Sequence, residues 1–273
     1  MKLFLAFLIC SVFGLLFPKA SVAHGDVHQQ ILVLTEKMQA STNRAELLLR
    51  RAELYRMDED YLSALADCSA VARMDPTNSL VHFVRGRILF DKKKFSAAKA
   101  ELDRFLETYP QHSEALLIRA RSWRSLGETT EADKDYTMAI NAAAAPEPDW
   151  YYEYAQMLQA GGQGTAALAV VDNGCKRTGA VSLELFAVDL AVELKDFDNA
   201  LHRLDKFCSQ SQRKEKWFVR RGEVLEKAGR PAEACESYKQ AEQAWVALPR
   251  QFQSSVSAQQ LHTEIAASLQ RLK

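Results

Sequence analysis

The sequence predicts an all-α protein, a right-handed α-solenoid of about six helix–turn–helix units with a capping helix at each end. Three observations predict it. Alanine recurs at Ala64, Ala98, Ala132, Ala166, Ala200 and Ala234, each 34 residues after the last. Within each unit apolar residues return at three- and four-residue spacings, the period of an amphipathic helix. Gly and Pro number only 11 and 7 in 273 residues, too few for the turns of a many-stranded sandwich or propeller.

Residues 1–23 read as a secretory signal. Lys2 precedes an apolar run from Leu3 to Phe17, and Ser21-Val22-Ala23 puts small residues at the −3 and −1 positions of a cleavage site. The run is short of the roughly twenty residues of a spanning helix. The expectation is a cleaved leader and an extracytoplasmic protein, periplasmic or secreted. An uncleaved N-terminal anchor is the alternative.

Residues 24–44 hold a leader and the N-terminal capping helix. Asp26 is a candidate N-cap for a helix through about Ala40, with Ile31, Leu34 and Met38 on one face.

Residues 45–248 carry the repeats, as 45–78, 79–112, 113–146, 147–180, 181–214 and 215–248. Arg51, Arg85, Arg119 and Arg221 share the 34-residue spacing, each followed by Ala or Gly. Another column, Tyr61, Phe95, Thr129, Gln163, Phe197 and Pro231, is aromatic in three of six units. Pro76 and Pro110 stop the second helices of the first two units. Gly127 and Gly229 follow helical segments where a left-handed end suits glycine. Small residues belong where two helices cross, because larger ones hold the axes apart. Units four and five depart from the pattern: Tyr154 and Val188 occupy the small position, and Glu153 and Ala187 the Arg position.

These motifs, from Leu48-x-x-Arg51-Ala52-x-x-Tyr55, Tyr61-x-x-Ala64 and Pro76 to Arg221-Gly222-x-x-Leu225, Gly229, Ala234 and Tyr238, resemble the tetratricopeptide repeat family. The resemblance covers about three quarters of the chain and implies stacked helix pairs whose first helices line a concave groove. It places groove positions at Leu80, Phe83, Arg87 and Phe90 in unit two, and at Glu114, Leu117, Arg121 and Arg124 in unit three. In unit four they fall at Pro148, Tyr151, Ala155 and Leu158. The partner-binding candidates are therefore Phe83, Arg87, Phe90, Leu117, Arg121, Arg124 and Tyr151. Packing between repeats is the competing role for the two Phe.

Residues 249–273 form the C-terminal capping helix, with Leu261, Ile265, Leu269 and Leu272 as one stripe from about Ser255. Capping helices with a polar outer face keep an open stack soluble.

Charge and chemistry narrow the function. Thirty-five basic side chains balance 35 acidic ones, without the basic excess of a nucleic-acid binder. No phosphate-loop, zinc-protease or nucleophile-elbow motif occurs, so no enzyme, catalytic residue or cofactor is expected. Gly161-Gly162-Gln163-Gly164 reads as an interhelical turn. The Arg column is expected to pair with an acid of the next unit. Cys68, Cys175, Cys208 and Cys235 are widely spaced within helices and read as buried thiols, with disulfides as the alternative.

The expected function is an exported scaffold, a monomer or a subunit of a hetero-complex, that holds a protein or extended peptide in its groove. A metal-linked accessory protein using a mature N-terminal His24 with His28, and a structural subunit of an envelope assembly, are the alternatives.

Overall fold

A computed structural model describes residues 19–272, with side chains from Asp26 onward. The signal reading of the first 18 residues and the His24 side chain lie outside the described residues. All regular structure among the described residues is helical. The chain divides into two compact units between Pro110 and Gln111.

The first unit contains α1 (Lys19–Ala40), α2 (Arg44–Met57), α3 (Tyr61–Met74), α4 (Leu80–Asp91) and α5 (Phe95–Thr108). The pairs α2/α3 and α4/α5 are hairpins, and α1 packs on α2 as a cap. Asp26 is not the N-cap of α1. The helix already runs through Ala20 and Ala23, strong helix formers, and the Asp26 carboxylate accepts from Gln30 at 3.3 Å one turn later. Asp60 does cap α3, accepting the Ser63 amide at 3.1 Å. Ala52, Ala64, Cys68, Val71 and Ile88 are fully buried at the centre of this unit, with Met38 of α1 completing the core. Gly86 shows why the crossing residue is small: a Cβ there would stand 2.7 Å from Leu102.

The second unit contains four hairpins. They are α6 (Ser113–Leu126) with α7 (Thr129–Ala142), α8 (Pro148–Ala160) with α9 (Gly164–Thr178), α10 (Val181–Glu193) with α11 (Phe197–Gln210), and α12 (Glu215–Lys227) with α13 (Pro231–Val246). A short turn, α14 (Arg250–Gln253), leads to α15 (Val256–Arg271), which packs on α13. Ser255 caps α15 by accepting from the Ala258 amide, and Ile265 is fully buried with Leu261, Leu269 and Leu272 against the same core. The stripe expected from the sequence is the one that docks.

Units four and five are regular helix pairs, and unit four is displaced by one residue. The turn residue with left-handed backbone recurs at Glu59, Lys93, Gly127, Lys195 and Gly229, on the 34-residue spacing, but in unit four it is Gly162, one residue late. The alanine column shows the same slip. Ala64, Ala98, Ala132, Ala200 and Ala234 are fully buried, whereas Ala166 is exposed and Ala167 is buried in its place. The crossing position of unit four is accordingly Ala155, fully buried, not Tyr154. The connection preceding α8 spans 143–147, one residue more than the 211–214 connection preceding α12, while α9 and α10 are joined by 179–180 alone. The extra residue enters before α8 and is recovered before α10.

Candidate partner-binding face

Within the first unit α2 and α4, and within the second α6, α8, α10 and α12, are the first helices of their pairs, and the Arg column anchors them. Arg51 forks onto Asp67 through two 2.7 Å hydrogen bonds and donates to Thr35 at 2.8 Å. Arg85 reaches Ser69 at 3.3 Å and Glu101 at 4.0 Å. Arg119 forks onto Asp135 at 2.6 and 2.7 Å, and Arg221 holds Asp205 at 2.7 Å. The partner acid was expected in the next unit. It lies instead sixteen residues on, in the second helix of the same repeat, or for Arg221 sixteen residues back. The side chain enters the crevice between its own second helix and the preceding one, so both ends of that crevice can supply its acceptor.

The one-residue slip brings Tyr154, not Glu153, into the Arg column of unit four. Its hydroxyl donates to Asp133 at 2.6 Å and contacts Thr137 at 3.0 Å, while its ring stacks on Tyr136 at 5.2 Å. Tyr154 thus reaches back toward the preceding second helix as Arg51 reaches Thr35.

The candidates for partner contact divide by burial. Phe83 is 9 % exposed and stacks on Phe105 at 5.0 Å, Leu117 is 2 % exposed, and Tyr151 is 1 % exposed. These three are packing residues. Phe83 packs against Phe105 of α5 and Tyr151 against Gly174 of α9, each on the second helix of its own pair, where apolar area is removed from water. Phe90 is partly buried against Phe95 at 5.6 Å. Arg87 lies over the Phe83 ring at 5.5 Å and pairs with Glu53 at 3.5 Å. Arg121 forks onto Glu153 with two 2.8 Å bonds, and Arg124 donates to the Glu153 carbonyl at 3.3 Å. Arg87 and Arg121 therefore tie one first helix to the next while keeping about a quarter of their side-chain area exposed.

Corrected for the slip, the unit-four positions become Asp149, Tyr152, Gln156 and Gln159 in place of Pro148, Tyr151, Ala155 and Leu158. Tyr152 is 39 % exposed, whereas Leu49, Phe83, Leu117 and Val219 at the same position are buried and Leu185 is partly buried. Its ring meets Phe186 of α10 at 4.6 Å. The sequence analysis missed this pair, because the uninterrupted 34-residue spacing selects Tyr151 in place of Tyr152. Gln159 bonds Glu193 at 2.6 Å, and Arg220 bonds Asp189, continuing the ties across α8, α10 and α12. On this side of the second unit Arg121 pairs with Glu153 of α8, and Arg220 of α12 pairs with both Asp189 of α10 and Glu223 of α12.

Little here suits covalent chemistry. Burial pushes the Cys68 thiol up to about 12 and those of Cys175 and Cys208 up to about 11, so none of these three is a thiolate at neutral pH. All four cysteines among the described residues are free. No group of three or more His, Cys, Asp or Glu among the described residues could hold a metal ion. Several histidines have structural partners. His112 caps α6 by accepting the Ala115 amide at 3.2 Å, His82 bonds Glu101 at 2.6 Å, and His262 stacks on Trp245. His28 is exposed on α1.

Residues 83–148 match the family model described as tetratricopeptide repeat. The matched segment, about a quarter of the chain, is identified as tetratricopeptide repeat. The C-terminal part of a TPR repeat-containing protein from Cytophaga hutchinsonii superposes with a TM-score of 0.62 at 15 % identity, over 88 % of this chain and 95 % of that one. A tetratricopeptide repeat protein from Parabacteroides merdae gives 0.51 at 16 % identity, over 90 % and 94 %. YrrB, described as a TPR protein with an unusual peptide-binding site, gives 0.50 at 15 % identity, over 65 % and 91 %. At such identities these likenesses establish the TPR fold. No curated protein matches the chain in sequence. The fold is one suited to protein–protein interaction. Among the described residues no helix is long and apolar enough to cross a membrane.

Proposed function

We propose that this protein of TPR fold is an exported, non-catalytic scaffold that holds an extended segment of a partner protein across the first helices of its second unit. The observation that carries the reading is Tyr152. An aromatic ring held by its tilted contact with Phe186 and left 39 % exposed, where four sister repeats bury their residue, is the kind of anchor that dominates interfaces. Acidic groups of the segment lie toward Arg121 and Arg124, beside Glu153 at the α6 end of the face. Arg guanidinium groups suit carboxylates through paired hydrogen bonds. That YrrB carries a peptide-binding site on the same fold supports a peptide ligand. Export rests on the apolar Leu3–Phe17 run and the Ser21-Val22-Ala23 site, with His24 as the first residue of the exported form.

Selection of displayed random peptides on the immobilised protein tests the reading. The wild type enriches peptides with an apolar residue flanked by an acid on one side. Tyr152→Ser is expected to weaken the selected peptides by about 30-fold, the roughly 2 kcal/mol of an interface hot spot, with the melting temperature nearly unchanged. Equal affinity in that variant removes this face as the binding site.

A further inference from the structure

The slip of unit four leaves an unfilled space on the opposite side of the helix layer. In the crevices α1/α3, α3/α5 and α9/α11 an arginine bridges the two helices, and in α11/α13 Arg221 lines the crevice with Asp205, Glu233 and Glu236. Arg51 spans Thr35 on α1 and Asp67 on α3, and Arg85 spans Ser69 on α3 and Glu101 on α5. Arg203 of α11 reaches Asp172 of α9, and Arg221 of α12 holds Asp205 of α11 beside α13. Between α7 and α9 the Arg column holds Tyr154, and sixteen residues on, in the acid column, stands Val170. Tyr154 satisfies Thr137 and Asp133 on the α7 side and has no polar partner on α9.

A pocket of about 210 Å³ occupies this crevice. Ile140, Tyr151, Tyr154, Ala169 and Val170 form its apolar walls, and Thr137, Asn141 and Asn173 its polar lining. No charged side chain lines it. Asn141 on α7 and Asn173 on α9 are both exposed, and neither makes a hydrogen bond among the described residues. Tyr151 is 1 % exposed, and its buried hydroxyl makes no hydrogen bond.

We propose that the α7/α9 crevice is a second binding site, which takes one uncharged apolar side chain of an extended peptide while Asn141 and Asn173 hydrogen-bond the peptide backbone. Three features select this occupant. The uncharged lining gives an ionic group nothing to replace its water, which disfavours anions and cations alike. Each asparagine offers both a donor and an acceptor, the complement of a peptide N–H and C=O. The volume lies below the roughly 300–1,000 Å³ of small-molecule sites, so it admits a side chain and not a cofactor. The site faces away from Tyr152 and does not depend on the proposed function of that face.

Titration of the full chain with capped Gly-Ser-X-Ser-Gly peptides, followed by the asparagine side-chain amide resonances, tests the proposal. With X as Leu or Phe, the Asn141 and Asn173 signals shift saturably, and with X as Ala they do not. Ala169→Leu, which plugs the pocket from an exposed helical position, abolishes the shift without loss of helicity. Asn141→Ala with Asn173→Ala, followed instead through the backbone amides of Ala169 and Val170, weakens binding by about tenfold, the effect of two ordinary hydrogen bonds. Tyr152→Ser leaves the response intact. The proposal is overturned if no peptide produces a saturable shift, if Ala169→Leu responds like the wild type, or if leucinamide alone saturates the same signals as tightly as the Leu peptide.

Discussion

Asp135→Ala is expected to destabilise the second unit by about 3–5 kcal/mol, the cost of stranding one partner of a buried ion pair. The Asp135 side chain is 5 % exposed and accepts both limbs of the Arg119 fork, and Arg119 itself is only 20 % exposed. Removing the carboxylate leaves a guanidinium with little water to replace it. The pair joins α6 to α7, so its loss loosens the hairpin on which Arg121 and Arg124 sit. Denaturant unfolding measures the effect. Replacing both members together, Arg119→Met with Asp135→Leu, recovers most of the stability, because apolar packing substitutes for a buried pair at little net cost. A loss below about 1 kcal/mol in the single variant would mean that the pair behaves as a solvated surface contact.

Gly174→Val should destabilise the same unit by about 2–3 kcal/mol or more, through overpacking. A Cβ at Gly174 would stand 2.7 Å from the Tyr151 ring, 3.0 Å from the Tyr151 Cβ and 2.7 Å from a Leu183 methyl. Leu183 can turn its end aside. Tyr151 cannot, because its contacting atoms lie close to its own backbone and its ring is enclosed. Valine also loses less than glycine in chain entropy on folding, which offsets about 0.5–1 kcal/mol at most. Thermal unfolding at matched concentration provides the check. A variant as stable as the wild type would show that α8, α9 and α10 do not approach as closely as described.

The helical architecture was legible because a strict spacing reports the same crossing five times, at Ala64, Ala98, Ala132, Ala200 and Ala234. The alanine column and the turn residues arise from packing that repeats, and the capping stripe Leu261, Ile265, Leu269 and Leu272 from the period of one amphipathic helix. The slip of unit four was not legible, for a local reason. Ala166 and Ala167 are adjacent, so the alanine column reads equally well in either register. The loop 143–147 carries Pro146 and is followed by Pro148 at the start of α8, and it accepts an extra residue without a visible break. The candidate face suffered from the same ambiguity, since a shift of one residue exchanged the enclosed Tyr151 for the exposed Tyr152. The Arg–acid pairs were half legible. The Arg column was visible, but its partners Asp67 and Asp135 sixteen residues on emerge only once the crevice between second helices is seen.

The register of unit four is the premise on which both the Tyr152 face and the α7/α9 pocket stand. Ala166→Cys and Ala167→Cys, alkylated under native conditions and mapped by peptide mass, test it most directly. The structure predicts rapid modification of the cysteine at 166 and protection of the one at 167 until the protein unfolds. The reverse pattern would restore the uninterrupted 34-residue spacing, return Tyr151 to the outward position and contradict the account.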